Sequence, residues 1–152
     1  ITGIVPTYDA RLRETHLGAW EGKTDSEVRR EFPDEWIAWQ HDDAEVRAGG
    51  GESRIEVAHR VATAINEALT TLPDPDATLV VVSHGAALRV GMAELLGLPQ
   101  DYWPTLGGFA NCSWSVLTES EDPITGEPVQ GRWRLAEHNA GSLPDPVIGD
   151  DH

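Results

Sequence analysis

His84 is the residue in this chain whose neighbours best suit it to meet an anion. It follows Leu79-Val80-Val81-Val82, four consecutive aliphatic residues rich in β-branched Val, which predict a buried central strand of the parallel type. Gly85 permits a tight turn, and residues 86–98 carry apolar side chains at helical spacing until Gly97 and Pro99 stop them. A strand feeding a helix so directly sets His84 at the strand's carboxyl end, beside free N–H groups and the positive end of a helix dipole. Open α/β sheets bind ligands at this end of their strands. A hydrogen-bonded structural histidine is the competing reading, and this stretch alone leaves both open.

The second chemically dense stretch is Asp9–Thr24, which has neither a helical nor a two-residue period. Its mixture of charged residues, an aromatic and two glycines predicts an ordered functional loop. The elements that must position these two stretches follow from local signals. Thr24 and Glu27 have capping-box spacing and start a helix that ends near Phe32-Pro33; Trp36, Ile37 and Trp39 then form an aromatic cluster read as core or lid packing. Gly49-Gly50-Gly51 lacks the Lys-Ser/Thr of a nucleotide P-loop and is read as a flexible connection. Ser53 and Glu56 repeat the capping spacing and open a scaffold helix with Ile55, Ala58, Ala62, Ile65, Leu69 and Leu72 on one face. Residues 114–118 and 132–137 alternate as two strands of an antiparallel hairpin at a sheet edge, turning through Asp122-Pro123 and Thr125-Gly126. That edge leaves a homodimer open. From Gly141 the composition predicts a flexible tail over 141–152.

At 152 residues the chain has the size of a single domain with a substantial core. Its formal charge of -15 disfavours nucleic acid or an anionic membrane as partner, so an anionic substrate must be met by local positive potential. Cys112 is the single cysteine, which excludes an internal disulfide framework and fits a reducing, cytoplasmic setting. No apolar run approaches about 18 residues, so no membrane span is expected. The six histidines are dispersed and Cys112 has no partner at zinc-ligand spacing, so neither a metal nor a cofactor is expected. Glu56 and His59 lie one helical turn apart without a second such pair and are read as surface residues. The chain begins at Ile1 without Met or a charged-then-apolar leader, and an amino-terminal portion is expected to precede it.

Taken together, the loop and the aliphatic run resemble the histidine phosphatase, or phosphoglycerate-mutase-like, superfamily. Leu12-Arg13-Glu14 with Gly18-Ala19-Trp20-Glu21-Gly22 is similar to the family's Leu-Arg-Glu segment and its Gly-x-Trp-Glu-Gly continuation. Ser83-His84-Gly85 is similar to its second-histidine motif, and Gly51-Glu52-Ser53 to the element placed between them. The segment 11–18, with Trp103-Pro104 and Leu106-Gly107-Gly108, particularly resembles the actinobacterial glucosyl-3-phosphoglycerate phosphatases.

The resemblance implies an α/β fold, a three-layer sandwich with a mostly parallel sheet and helices on both faces. It implies that residues 1–140 form the carboxyl-terminal two-thirds of one such domain, lacking the first strand or strands. In that family a phosphoryl group passes to a histidine in an Arg-His-Gly motif, and water then releases it. Glu14 would protonate the leaving oxygen, His84 would stabilise the transferring phosphoryl group, and Gly85, Leu17 and Asn111 would bind substrate. A salt bridge from Glu14 to Arg11 or Arg13 is the alternative for that carboxylate. No Arg-His-Gly triplet occurs here, so the chain is expected to be inactive alone. The expected reaction is hydrolysis of a small phosphorylated metabolite, a phosphoglycerate or its glycoside. The alternatives are a phosphoglycerate mutase and a non-catalytic phosphate-binding module.

Overall fold

The computed structural model describes residues 3–74 and 76–141. Helix α1 (Asp25–Glu31) starts where the capping spacing places it: the Thr24 side chain accepts from the Glu27 N–H, and the Glu27 carboxylate accepts from the Thr24 N–H. Pro33 does more than end it. It occupies the first turn of α2 (Pro33–Gln40), where its missing N–H costs nothing, so a second helix begins where the sequence showed only a stop. Helix α3 (Arg54–Thr70) carries the second capping box, between Ser53 and Glu56, and ends before Leu72. Helix α4 (Gly85–Leu95) is shorter than the apolar pattern suggested, because the chain turns at Leu96 and Gly97, the latter at φ +66°.

Helices α3 and α4 make the main core, around Val57, Ala58, Val61, Ala87, Val90, Met92 and Ala93. They approach closely at Gly91, where a Cβ would lie 2.3 Å from Val61 Cγ1. Trp103 caps this core from the 3-10 run Gln100–Thr105 and donates its indole N–H to the Leu98 carbonyl at 2.9 Å. A second cluster gathers Trp20, Val28 and Ala48, with Leu17, Phe32, Trp36 and Trp39 against them. Packing is therefore the role of Trp36 and Trp39, while Ile37 is half exposed.

The predicted hairpin forms between β1 (Ser113–Glu121) and β2 (Pro128–Gly141), paired antiparallel and longer than the alternation suggested. Its turn is held by Asp122, whose side chain accepts from the Ile124 and Thr125 N–H groups. This is the one sheet among the described residues. The expected buried strand at Leu79–Val82 is a correction: the segment belongs to no strand among the described residues, with Val80 77% and Val82 85% exposed. An apolar run becomes a strand only where a neighbouring backbone pairs with it, and the one sheet among the described residues does not include this run. Residues 4–8 adopt no regular secondary structure. The tail expected over 141–152 lies, beyond Gly141, outside the described residues.

The triple glycine is a second correction, because Gly49 and Gly51 pack tightly and the segment is no free linker. A Cβ on Gly51 would fall 2.1 Å from the His16 carbonyl oxygen, one on Gly49 2.6 Å from that of Leu17, and one on Gly18 2.2 Å from that of Gly49. Glycine is required there for two backbones to touch. The contact fixes the loop that leads away from Glu14.

Candidate active site

The site is built where the early loop meets the amino end of α4. His84 is the N-cap residue of that helix, in extended backbone conformation, and its own side chain makes no capping bond. The helix's free N–H groups are met from elsewhere: Ala87 N–H donates to Glu14 Oε1 at 2.9 Å and Ala86 N–H to Glu14 Oε2 at 3.3 Å. Both carboxylate oxygens thus rest on the helix that His84 opens, at its positive end. Thr15 N–H adds a third bond to Oε1 at 2.9 Å. One residue before His84, the Ser83 hydroxyl donates to the Leu12 carbonyl. Residues 12–14 and 83–87 therefore run side by side.

The alternative salt bridge for Glu14 is not made. Arg11 instead pairs with Asp9 and Glu67, at 2.7 Å each, and holds both carboxyls below their ordinary range chiefly through side-chain hydrogen bonds. Gly85 lies against Phe109, whose carbonyl oxygen would be 3.5 Å from an added Cβ. Asn111 follows two residues later in the same exposed loop, so it belongs to the segment bordering the helix start. That loop is tied to the hairpin by Ala110 N–H donating to Asn139 Oδ1 at 2.8 Å and by a His138 ring nitrogen 3.1 Å from the Gly107 carbonyl. Leu17 stands apart from the group, its side chain packed with the Trp20 cluster.

One residue was missed by the sequence reading. Arg60, on the supposed scaffold helix α3, reaches the Glu14 loop and donates to the carbonyls of Arg11, Arg13 and Glu14 and to both oxygens of Glu52. Bonding to Arg60, aided by the His16 N–H, holds the Glu52 carboxyl below its ordinary value of 4.5 against the opposing effect of burial. The only cue was an opposite-charge pair eight residues apart across a helix start, which is not a helix-neighbour spacing.

Glu56 is occupied by its capping box and by Arg47. Among the described residues there is no group of three or more His, Cys, Asp or Glu able to hold a metal ion, and no helix is long and apolar enough to cross a membrane. The α4 terminus thus brings together the Glu14 carboxyl group, bonded to the Ala86 and Ala87 N–H groups, and the backbone of His84, the residue that opens the helix.

Known proteins share this arrangement of sequence. The histidine phosphatase superfamily (branch 1) pattern matches residues 2–141. A glucosyl-3-phosphoglycerate phosphatase of Mycolicibacterium vanbaalenii is 43% identical over 148 residues, covering 93% of this chain and 65% of that protein. The chain therefore spans 65% of that relative's length. The native structure of a mycobacterial glucosyl-3-phosphoglycerate phosphatase matches with TM-score 0.77 at 38% identity, over 93% of this chain and 68% of that one. Its complex with inorganic phosphate matches with TM-score 0.76 at 38% identity, over 92% and 67%. The architecture is accordingly the phosphoglycerate-mutase-like α/β fold. On the match across 2–141 and on these likenesses, the chain belongs to the histidine phosphatase superfamily.

Proposed function

We propose that the complete protein hydrolyses a small phosphomonoester through a phosphohistidine, with Glu14 as proton donor and His84 as stabiliser of the phosphoryl group. The observation that carries this reading is the Glu14 carboxylate seated on the Ala86 and Ala87 N–H groups, immediately behind His84. In the first half-reaction the bond from phosphorus to the leaving oxygen breaks, a bond to an imidazole nitrogen forms, and Glu14 gives its proton to the leaving alkoxide. The migrating phosphoryl carries negative charge on its equatorial oxygens, which the His84 ring meets by donating a hydrogen bond. Water then attacks phosphorus, the phosphorus–nitrogen bond breaks, and the proton from water returns to Glu14. Gly85 and Asn111 are assigned to substrate binding, and Leu17, packed with the Trp20 cluster, is not.

The histidine that accepts the phosphoryl group belongs, on this reading, to an Arg-His-Gly segment outside the 152 residues, since no such triplet occurs within them. Hydrolysis is favoured over mutase chemistry because residues 23–50, between the two motifs, are rich in Asp and Glu and supply no cationic clamp for a bisphosphorylated intermediate. The likeness to glucosyl-3-phosphoglycerate phosphatases supports a phosphoglycerate glycoside as substrate.

The test is turnover of an aryl phosphate by the complete protein and by the 152-residue chain. Turnover by the first and none by the second is expected. Brisk hydrolysis by the short chain would remove this account of the nucleophile, and phosphate binding without turnover by the complete protein would favour a binding module.

A further inference from the structure

We infer that Arg60 is a positioning residue for the proposed proton transfer, holding the backbone of Glu14 in the register that lays its carboxylate on α4. The inference rests on the reading of Glu14 as the acid. A guanidinium has five N–H donors in a rigid fork, and all five find acceptors here. Nε donates to Glu52 Oε1 at 2.7 Å, and Nη2 donates to Glu52 Oε2 at 2.9 Å and to the Glu14 carbonyl at 3.1 Å. Nη1 donates to the Arg11 carbonyl at 2.5 Å and to that of Arg13 at 2.8 Å.

Glu52 extends the grip past the acid. Its Oε2 accepts from the His16 N–H at 2.9 Å, and its own N–H donates to the His16 carbonyl at 2.8 Å. Glu14 is thus bracketed: its own carbonyl and those of Arg11 and Arg13 bond Arg60, while His16, two residues on, bonds Glu52. Residues 14–17 have no regular secondary structure, so this pair satisfies backbone groups that a helix or sheet would otherwise satisfy. Both side chains are largely buried, at 14% and 19% exposure for Arg60 and Glu52, so the contact is shielded from solvent. The arrangement is directional. A lysine keeps the charge but offers three donors from a single point, and no single position reaches three carbonyls and two carboxylate oxygens.

A merely structural arginine and a positioning arginine differ in what they do to different leaving groups. Proton donation matters for an alkoxide and little for dinitrophenolate, which leaves unprotonated, so misplacing the acid penalises only the first. The experiment compares kcat/KM for glycerol 2-phosphate and 2,4-dinitrophenyl phosphate in the complete protein, as wild type, R60K, E52Q and E14Q. R60K is expected to lose about 10- to 100-fold on the alkyl ester and under about threefold on the aryl ester, with E52Q following in the same direction. Equal losses on both esters, or loss on neither, would overturn the inference; should R60K not fold, E52Q carries the same two outcomes. If E14Q lacks the contrast, the assignment of Glu14 has failed; if E14Q has it and R60K does not, only the role of Arg60 has. Independently of turnover, R60K should accelerate hydrogen exchange at the Ala86 and Ala87 amides, which donate to Glu14, and unchanged exchange there would overturn the positioning role.

Discussion

At the scale of single residues, the account rests on what Glu14 touches. Both of its oxygens serve as an external cap for α4, so E14A removes acceptors from two helix N–H groups as well as the proposed acid. We expect it to cost about 0.5–2 kcal/mol in thermal or denaturant unfolding and about 10²- to 10⁴-fold in kcat/KM for an alkyl phosphate. Glu52 supplies a pH test. Its folded carboxyl is held below 4.5, so between the folded and unfolded values the unfolded chain binds more protons and stability rises with pH. The wild type should exceed E52Q in stability above about pH 4.5, and the difference should shrink as pH falls through the folded value. Denaturant titrations at several pH values measure this, and a gap that widens toward acid would contradict it. His84 and Glu14 stand out in the sequence as candidates because each sits in a short run with a recognisable neighbour pattern. Arg60 does not, because its partners are backbone carbonyls, which leave no mark on side-chain spacing.

At the scale of elements, local chemistry was readable and close approach was not. The capping boxes at Thr24 and Ser53 started helices where their spacing placed them. Pro33 misled because the same residue that ends one helix is also favoured in the first turn of the next. Three glycines read alike whether they serve freedom or contact, and here Gly49 and Gly51 serve contact with the Glu14 loop while Gly50 faces open space. G51A should accordingly push the His16 backbone away and lower kcat/KM through a site it does not touch; wild-type kinetics in this variant would contradict the seam. The α3–α4 crossing makes a comparable prediction. Replacing Gly91 with Ala would gain about 1 kcal/mol of helix propensity. The new methyl, however, meets Val61, fully buried and rotamer-restricted, at an overpacking cost of about 1–3 kcal/mol. We expect a lowered melting temperature for G91A and a larger fall for G91V.

At the scale of the whole molecule, the aliphatic run Leu79–Val82 was recognised as strand-like in composition, yet its pairing is a property of neighbours and not of the run itself. With Val80 and Val82 exposed, V82A should change the stability of the 152-residue chain by less than about 0.5 kcal/mol. In the complete protein, where we propose that outside residues pair with this segment, the same change should cost about 1–3 kcal/mol. Unfolding of both forms measures the difference. The formal charge of -15 makes local geometry matter more for the proposed reaction, because an anion approaching the chain meets net repulsion. The most direct test of the account is therefore the position of vanadate bound to the complete protein, determined crystallographically. We predict one vanadate with its oxygens within hydrogen-bond distance of both the His84 imidazole and the Glu14 carboxyl group; vanadate bound with His84 and Glu14 facing separate surfaces would contradict it.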